Sequence, residues 1–156
     1  MHMHDVMASL PCACTTLRKA SRALSRVYDE ALAPAGLTIS QLGVLRAIGR
    51  GDKKGEPLSR LAETLVMDRT SLYRALRPMV RPGWLLIKDA PKGRAKVVQL
   101  SKAGIRVMAD AAEYWQSAQS RVMGEFGVAR WTALHKAVTE LTALGVKLGS
   151  YESRIA

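Results

Sequence analysis

The sequence predicts a mainly α-helical protein with one small β-hairpin, and three observations lead to this prediction. Apolar residues recur at steps of three and four over most of the chain, which is typical of amphipathic helices. Two short β-rich runs, 84–87 and 97–100, enclose a basic turn, as in a hairpin. Between 58 and 81 the pattern predicts two short helices joined by a tight turn, so we expect a helix-turn-helix directly before the hairpin.

Two helices are predicted before the helix-turn-helix. The first spans 14–33, where the apolar stripe is continuous, and a proline and a glycine follow it. Thr38 and Gln41 form a capping-box pair at the start of the second, which ends at a glycine near residue 50. The segment 51–57 contains Gly, Lys and Pro, and we expect a surface loop there.

The second helix of the helix-turn-helix has one apolar face and one basic face. Asp68 is placed to cap it, and an advance of about 100° per residue gathers Leu72, Leu76 and Met79 on the opposite side from the arginines. No acidic residue follows Asp68 to balance them, which favours contact with nucleic acid over simple solvation of an exposed helix. Pro78 lies inside this helix, where we expect a kink. The predicted DNA contacts of this helix are Arg69, Thr70, Ser71, Tyr73, Arg74 and Arg77.

The hairpin carries a basic tip. Lys92, Arg94 and Lys96 lie close together around a glycine, next to the helix-turn-helix. Such a ribbon acts as a wing when one of its cations enters the minor groove, where the potential of DNA is most negative. The alternative is an ordinary solvent-exposed hairpin.

Helices are also predicted after the hairpin. Ser101 caps a long helix that runs to about Met123, and the last helix spans roughly 129–149. The apolar stripes of the first and last helices are larger than one winged domain covers, which predicts a homodimer. Packing of these stripes on each other within one chain is the alternative.

The positive charge is local. The chain has 24 Lys and Arg against 13 Asp and Glu; residues 51–106 hold 13 basic and 5 acidic residues, whereas residues 107–156 hold five of each. This footprint predicts double-stranded DNA as the partner. No run approaches the about 18 consecutive apolar residues of a membrane-spanning helix, and the first residues do not resemble a signal peptide, so we expect no membrane partner and a cytoplasmic protein.

The search for catalytic chemistry finds no P-loop, nucleophile elbow, paired metal-binding histidines or dinucleotide turn, so we expect neither an enzyme nor a cofactor. Cys12 and Cys14 lie at the start of the first helix, where amide dipoles lower a thiol pKa, so a redox switch is one interpretation and packing is another. With His2 and His4 they also provide four zinc-ligand types, a third interpretation, although no metal site is predicted.

The order of these motifs resembles the MarR-type (multiple antibiotic resistance regulator) winged-helix repressors. The resemblance covers nearly the whole chain and rests on GLTISQLGVLRAI, LSRLAETLVMDRTSLYRALRPMV, the KGRAK wing and LSKAG. It implies a homodimer whose first and last helices interlock, with a helical dimerisation region at 1–36 and 102–156 and a winged helix-turn-helix at 37–101 that reads a palindromic site. The wing departs from the family, because Lys92-Gly93-Arg94 replaces its usual Asp-Arg-Arg cluster.

The resemblance also implies a small-molecule effector, often an aromatic acid, bound between the dimer helices and the winged domain. Arg18, Arg22 and Tyr28 on the first helix are the candidate residues, although the two arginines equally fit a solvated face or an approach to DNA phosphate. The predicted function is a homodimeric repressor released by this effector. The alternatives are a thiol-based redox-sensing repressor that uses Cys12 and Cys14, and a ligand-binding allosteric module that does not bind DNA.

Overall fold

The structure is a computed structural model that describes residues 10–90 and 95–152, without the side chains of 150–152. Over these residues the predicted fold class is confirmed: helices dominate and one small antiparallel sheet accompanies them. The helices are α1 (Ala13–Leu32), α2 (Ile39–Arg50), α3 (Leu58–Thr64), α4 (Arg69–Val80), α5 (Lys102–Asp110), α6 (Ala112–Phe126) and α7 (Val128–Glu152). The strands are β1 (Glu56–Pro57), β2 (Leu85–Asp89) and β3 (Lys96–Leu100), and a one-turn 3-10 helix, Ala33–Ala35, follows α1.

Local side-chain chemistry starts three of the helices where the sequence predicted. At α2, Thr38 and Gln41 form a complete capping box: the Gln41 N–H donates to Thr38 Oγ1 over 3.2 Å, and the Thr38 N–H donates to Gln41 Oε1 over 2.9 Å. Asp68 accepts from the Ser71 N–H at the start of α4, and Ser101 accepts from the Gly104 N–H at the start of α5. Each cap satisfies backbone donors that a helix leaves free at its first turn.

The sheet has one strand more than the sequence predicted. Its order is β1-β3-β2, with Leu85 opposite Leu100 and Glu56 opposite Val98. The prediction of a loop throughout 51–57 was therefore wrong at its last two residues. Glu56 is buried because its carboxylate accepts the Asp52 N–H over 2.9 Å and pairs with Arg60 at 3.5 Å, which fastens the loop to the sheet.

One hydrophobic core lies beneath the helix-turn-helix and the sheet. Its fully buried large side chains come from the end of α1, from α2, α3 and α4, and from both long strands: Leu32, Leu42, Leu45, Leu61, Leu72, Leu76, Met79, Leu85 and Val98. The apolar face that the sequence predicted for α4 supplies three of them. The basic face of α4 therefore points away from the core.

One helix differs from the sequence-based expectation in detail. The helix capped by Ser101 is interrupted at Ala111, where ψ is −13°, instead of running unbroken to Met123. Ala111 is fully buried in the core, and no glycine or proline lies between residues 105 and 123 to indicate the interruption. Helix α4 contains Pro78 and ends at Val80, and the kink expected at this proline stays a prediction.

The helices outside the winged domain are much more exposed. Helix α1 packs against α6, where the Tyr28 hydroxyl donates to Gln119 Oε1 over 2.5 Å. In α7, Trp131 and Val138 are half-buried and the other side chains described up to residue 149 are exposed. Among the described residues, no single helix has the length and apolar composition to cross a membrane, and one bent pair, Ala13–Ala35 with Ile39–Arg50, meets that test only jointly.

Candidate nucleic-acid interface

Helix α4 presents its polar face to solvent. Asp68 holds the first turn, because its two carboxylate oxygens accept the N–H and the hydroxyl of Ser71 over 2.9 and 2.6 Å. These bonds, with the Ser71 hydroxyl contributing most, lower the pKa of Asp68 below its ordinary value. The predicted contact residues of α4 are all exposed: Arg69, Thr70, Ser71, Tyr73, Arg74 and Arg77.

The arginines of this face form no ion pair with any residue that the structure describes. Arg69, Arg74 and Arg77 have no described carboxylate within ion-pair distance. The Arg69 guanidinium lies over the Tyr73 ring at 5.9 Å from its centroid, which restrains both side chains. A row of unpaired cations on one exposed helix face attracts a polyanion.

A groove of about 390 Å³ connects this helix to the sheet. Arg69 and Tyr73 of α4 line one wall, and Lys96 of β3 lines the other, so three of the predicted contact residues meet there. The groove is also lined by Leu58, Ser59, Ala62 and Ala95, none of which the sequence pattern predicted as a contact residue. Ser59 and Ala62 are small and uncharged, and the packing of α3 beside α4 places them at the surface of the groove.

Polar pairs connect the two strands of the hairpin, the first of them at the end next to the turn. Lys96 Nζ lies 2.5 Å from Asp89 Oδ1, across the register that pairs these two residues. Lys88 Nζ donates to Gln99 Oε1 over 3.4 Å. Lys92 and Arg94, predicted at the wing tip, lie outside the described residues.

The turn that orients α4 contains a strained residue. Val66 has φ of 51°, in the left-handed region, where a β-branched side chain crowds the backbone. Its N–H donates to the Glu63 carbonyl over 3.1 Å, and the Met67 N–H donates to Ala62 over 2.9 Å. These bonds close the turn between α3 and α4 and set the direction in which α4 leaves the domain.

The predicted effector residues occupy different surroundings. Arg18 and Arg22 are exposed on α1. Tyr28 is half-buried against α6 through its bond to Gln119, and burial raises the pKa of its hydroxyl. The role of these three residues in effector binding stays a prediction.

Cys12 and Cys14 are exposed free thiols at the start of α1. Cys12 is the residue directly before the first turn of the helix, and the Thr15 backbone, then the Thr15 hydroxyl and the Cys14 backbone, lower the pKa of its thiol. In the part of the chain that the structure describes, no group of three or more His, Cys, Asp or Glu side chains is arranged to hold a metal ion. His2 and His4 lie outside that part.

The fold is similar to those of solved transcriptional regulators. The regulator MosR of M. tuberculosis, solved in complex with DNA, is 30% identical over 88% of this chain and 98% of MosR, with a TM-score of 0.79. A MarR-family regulator from Rhodococcus sp. RHA1 is 16% identical over 90% of this chain and 95% of its own, with a TM-score of 0.70. A mutant of E. coli MarR complexed with operator DNA is 19% identical over 81% and 91%, with a TM-score of 0.72. No protein-family model matches the chain, and no curated protein matches it.

Proposed function

Because the chain belongs to the MarR family of winged helix-turn-helix transcriptional regulators, we propose that it binds a palindromic operator as a homodimeric repressor. It is a DNA-binding regulator and not an enzyme. The observation that carries the proposal is the groove in which Arg69, Tyr73 and Lys96 meet beside the unpaired arginines of α4. In this proposal α4 enters the major groove and residues 37–101 form the DNA-binding domain.

Each residue of the interface has a distinct role in this proposal. Arg74 and Arg77 contact base edges or phosphates from the exposed face of α4, and Thr70 and Tyr73 add polar contacts. The Ser71 hydroxyl already donates to Asp68, so Ser71 acts mainly in placing the helix end. Lys96, with Lys92 and Arg94 at the wing tip, contacts the neighbouring minor groove.

The homodimer is proposed from the exposed apolar side chains of the regions 1–36 and 102–156. Leu17 and Leu24 of α1 are exposed, as are Leu134, Leu141, Leu144, Val146 and Leu148 of α7. A helix of 25 residues with this much exposed apolar surface needs a partner, and a second copy buries the same face twice around a two-fold axis. A dimer also presents two copies of α4 to the two halves of a palindrome.

DNA binding is tested by fluorescence anisotropy on a labelled duplex taken from the intergenic DNA upstream of the gene. Arg74→Ala is expected to weaken specific binding by about 1–3 kcal/mol if the guanidinium bonds one base in bidentate fashion. Lys136→Ala removes one exposed cation from α7 and is the matched control, with no expected change. Equal affinity of wild type and Arg74→Ala would remove Arg74 from the interface, and absence of binding to every duplex would favour the module that does not bind DNA.

Release of the operator by a small-molecule effector is the proposed regulation, and the lowered thiol pKa of Cys12 favours redox sensing as a second candidate. A thiolate attacks one oxygen of hydrogen peroxide, the O–O bond breaks, hydroxide leaves and the sulfur becomes a sulfenic acid; the exposure of Cys12 allows this attack. If the thiols are the sensor, peroxide releases wild type from DNA, dithiothreitol restores binding, and the Cys12→Ser, Cys14→Ser variant stays bound. Release of both proteins by the same peroxide dose would exclude these cysteines as the sensor.

A further inference from the structure

A cleft of about 640 Å³ lies outside both the DNA-binding groove and the predicted effector residues of α1. It is bounded by the end of α2, the loop 51–53, strand β3 and helix α5. Its apolar lining is aliphatic and comes from three different elements: Ile48, Leu100, Ile105 and Met108. A volume of this size falls within the about 300–1,000 Å³ typical of small-molecule sites.

Three cations stand around this aliphatic surface. Arg46 and Arg50 are one helical turn apart on α2, and Lys53 follows in the loop. Among the described residues none of the three has a carboxylate within ion-pair distance. Asp52 also lines the cleft, where its Oδ1 accepts the Lys54 N–H over 2.8 Å, so three cations there face one carboxylate. The cleft therefore combines an aliphatic surface with an excess of positive charge.

Arg46 is held in position before any ligand arrives. Its guanidinium lies over the Trp115 ring at 4.0 Å from the centroid, and the side chain is half-buried. Burial, and then the neighbouring charge of Arg50, lower the pKa of Arg46. Two cations that destabilise each other in a partly buried site are stabilised by an anion placed between them.

We propose that this cleft binds an amphipathic monocarboxylate with an aliphatic body, its head on Arg46 and Arg50 and its chain on Ile105 and Met108. Guanidinium groups match a carboxylate geometrically, and none of the described residues that line the cleft has an aromatic ring for stacking. Asp52 at the rim favours a singly charged head over a doubly charged phosphate. The ligand of this cleft therefore differs from an aromatic acid, and the cleft contains none of the α1 residues predicted from the sequence.

The cleft is linked to the DNA-binding elements by hydrogen bonds, and this link rests on the proposed function. The Lys53 carbonyl accepts the Gln99 side-chain amide over 3.1 Å, which ties the loop to β3 of the wing. The Asp52 N–H donates to the buried Glu56, which in turn pairs with Arg60 of α3. A ligand that moves Lys53 or Gln99 therefore displaces the strand and helix that frame the interface groove, and it lowers DNA affinity.

Ligand binding is tested without DNA, by titration calorimetry of the full chain with hexanoate, octanoate and decanoate. Affinity is expected to rise about fourfold per methylene, because each added group is buried on the aliphatic lining. Decanol tests the need for the charge and is expected to bind at least about tenfold more weakly than decanoate. Acetate tests the need for the chain, and because it lacks the eight methylenes of decanoate its binding should be undetectable. Arg50→Gln should weaken decanoate binding about tenfold, whereas Arg106→Gln, an exposed cation of α5 outside the cleft, should leave it unchanged.

Several results would overturn the proposal. They are the absence of saturable decanoate binding, equal binding of decanol, or the same affinity in Arg50→Gln and Arg106→Gln. Regulation is read separately, by anisotropy on the operator duplex with and without decanoate. An unchanged DNA affinity at saturating decanoate would overturn the coupling, and a chain that binds decanoate but no duplex would overturn the proposed function while leaving the ligand site intact.

Discussion

The core leucines of the winged domain and the leucines of helix α7 differ sharply in exposure. Leu45 and Leu72 of the winged domain are 0% exposed, whereas Leu144 and Leu148 of α7 are 49% and 58% exposed. The winged domain completes a hydrophobic core within one chain, and α7 leaves most of its apolar surface uncovered. We therefore expect the winged domain to be stabilised by packing within its own chain and α7 to be stabilised by contacts with a partner.

The largest expected effect is the loss of stability when a core leucine is replaced by alanine, compared with the same replacement in α7. Leu45→Ala removes a fully buried side chain and should lower the free energy of unfolding by about 2–5 kcal/mol, because it leaves a cavity. Leu144→Ala should act through dimerisation, so its effect on urea denaturation should depend on protein concentration. Losses of equal size that do not change with concentration would show that α7 is stabilised within its own chain.

The junction between the two regions provides the next test. A Cβ added at Gly104 of α5 would stand 2.2 Å from the Trp84 carbonyl oxygen, and backbone cannot swing aside as a flexible side chain can. Gly104→Ala should therefore destabilise the chain by about 1–3 kcal/mol in chemical denaturation. Gly43→Ala on α2, where a Cβ meets nothing within 4 Å, is the control and should stabilise slightly. A Gly104→Ala variant as stable as Gly43→Ala would contradict the close approach of α5 to the hairpin.

A smaller effect, of opposite sign, is expected at the turn of the helix-turn-helix. Val66→Gly removes a side chain that is 60% exposed and that crowds a left-handed backbone. The free energy of unfolding should therefore rise by about 0.5–1 kcal/mol, after the entropic cost of ordering a glycine is subtracted. Val80→Gly, in the right-handed last turn of α4, should destabilise instead. Thermal denaturation of both variants decides the sign, and a loss at both positions would mean that Val66 is not strained.

The smallest expected effect concerns the cap of α4. The pKa of Asp68 is lower in the folded state, so its carboxylate stabilises the fold above the unfolded value of about 3.9, and this contribution is lost as the pH falls through the lower folded value. Asp68→Asn keeps a capping group without the charge. The difference in melting temperature between wild type and this variant should therefore be present at pH 7 and shrink towards pH 3. A difference that is constant across this range would assign the cap to geometry alone.

The helix starts were predictable because each depends on residues three or four apart. The pairs Thr38 with Gln41 and Asp68 with Ser71 are visible in the sequence and make their bonds in the structure. The basic face of α4 was predictable for the same reason, since helical periodicity alone separates its arginines from Leu72 and Leu76. The DNA-contacting roles of these residues remain predictions.

Other features depend on residues far apart in the chain. Strand β1 has two residues, which are too few to show the alternating pattern of a strand. It forms because Glu56 and Pro57 pair with Val98 and Val97 of β3, which lie 42 and 40 positions further along the chain. Gln99 reaches the Lys53 carbonyl across 46 positions in the same manner. The interruption at Ala111 accompanies burial of that residue in the core, and no glycine or proline next to it indicates the interruption in the sequence.

The sequence by itself determined the class of the fold, the periodic faces of its helices, their caps and the location of the positive charge, because these follow from neighbours along the chain. Only the tertiary structure decided that Arg46, Arg50 and Lys53 share a cleft with Leu100 and Met108, and that Arg69 faces Lys96 across a groove. Sites of this kind are made by side chains from separate elements, and the packing of those elements sets their distances. The spacing of residues along the chain does not predict that packing.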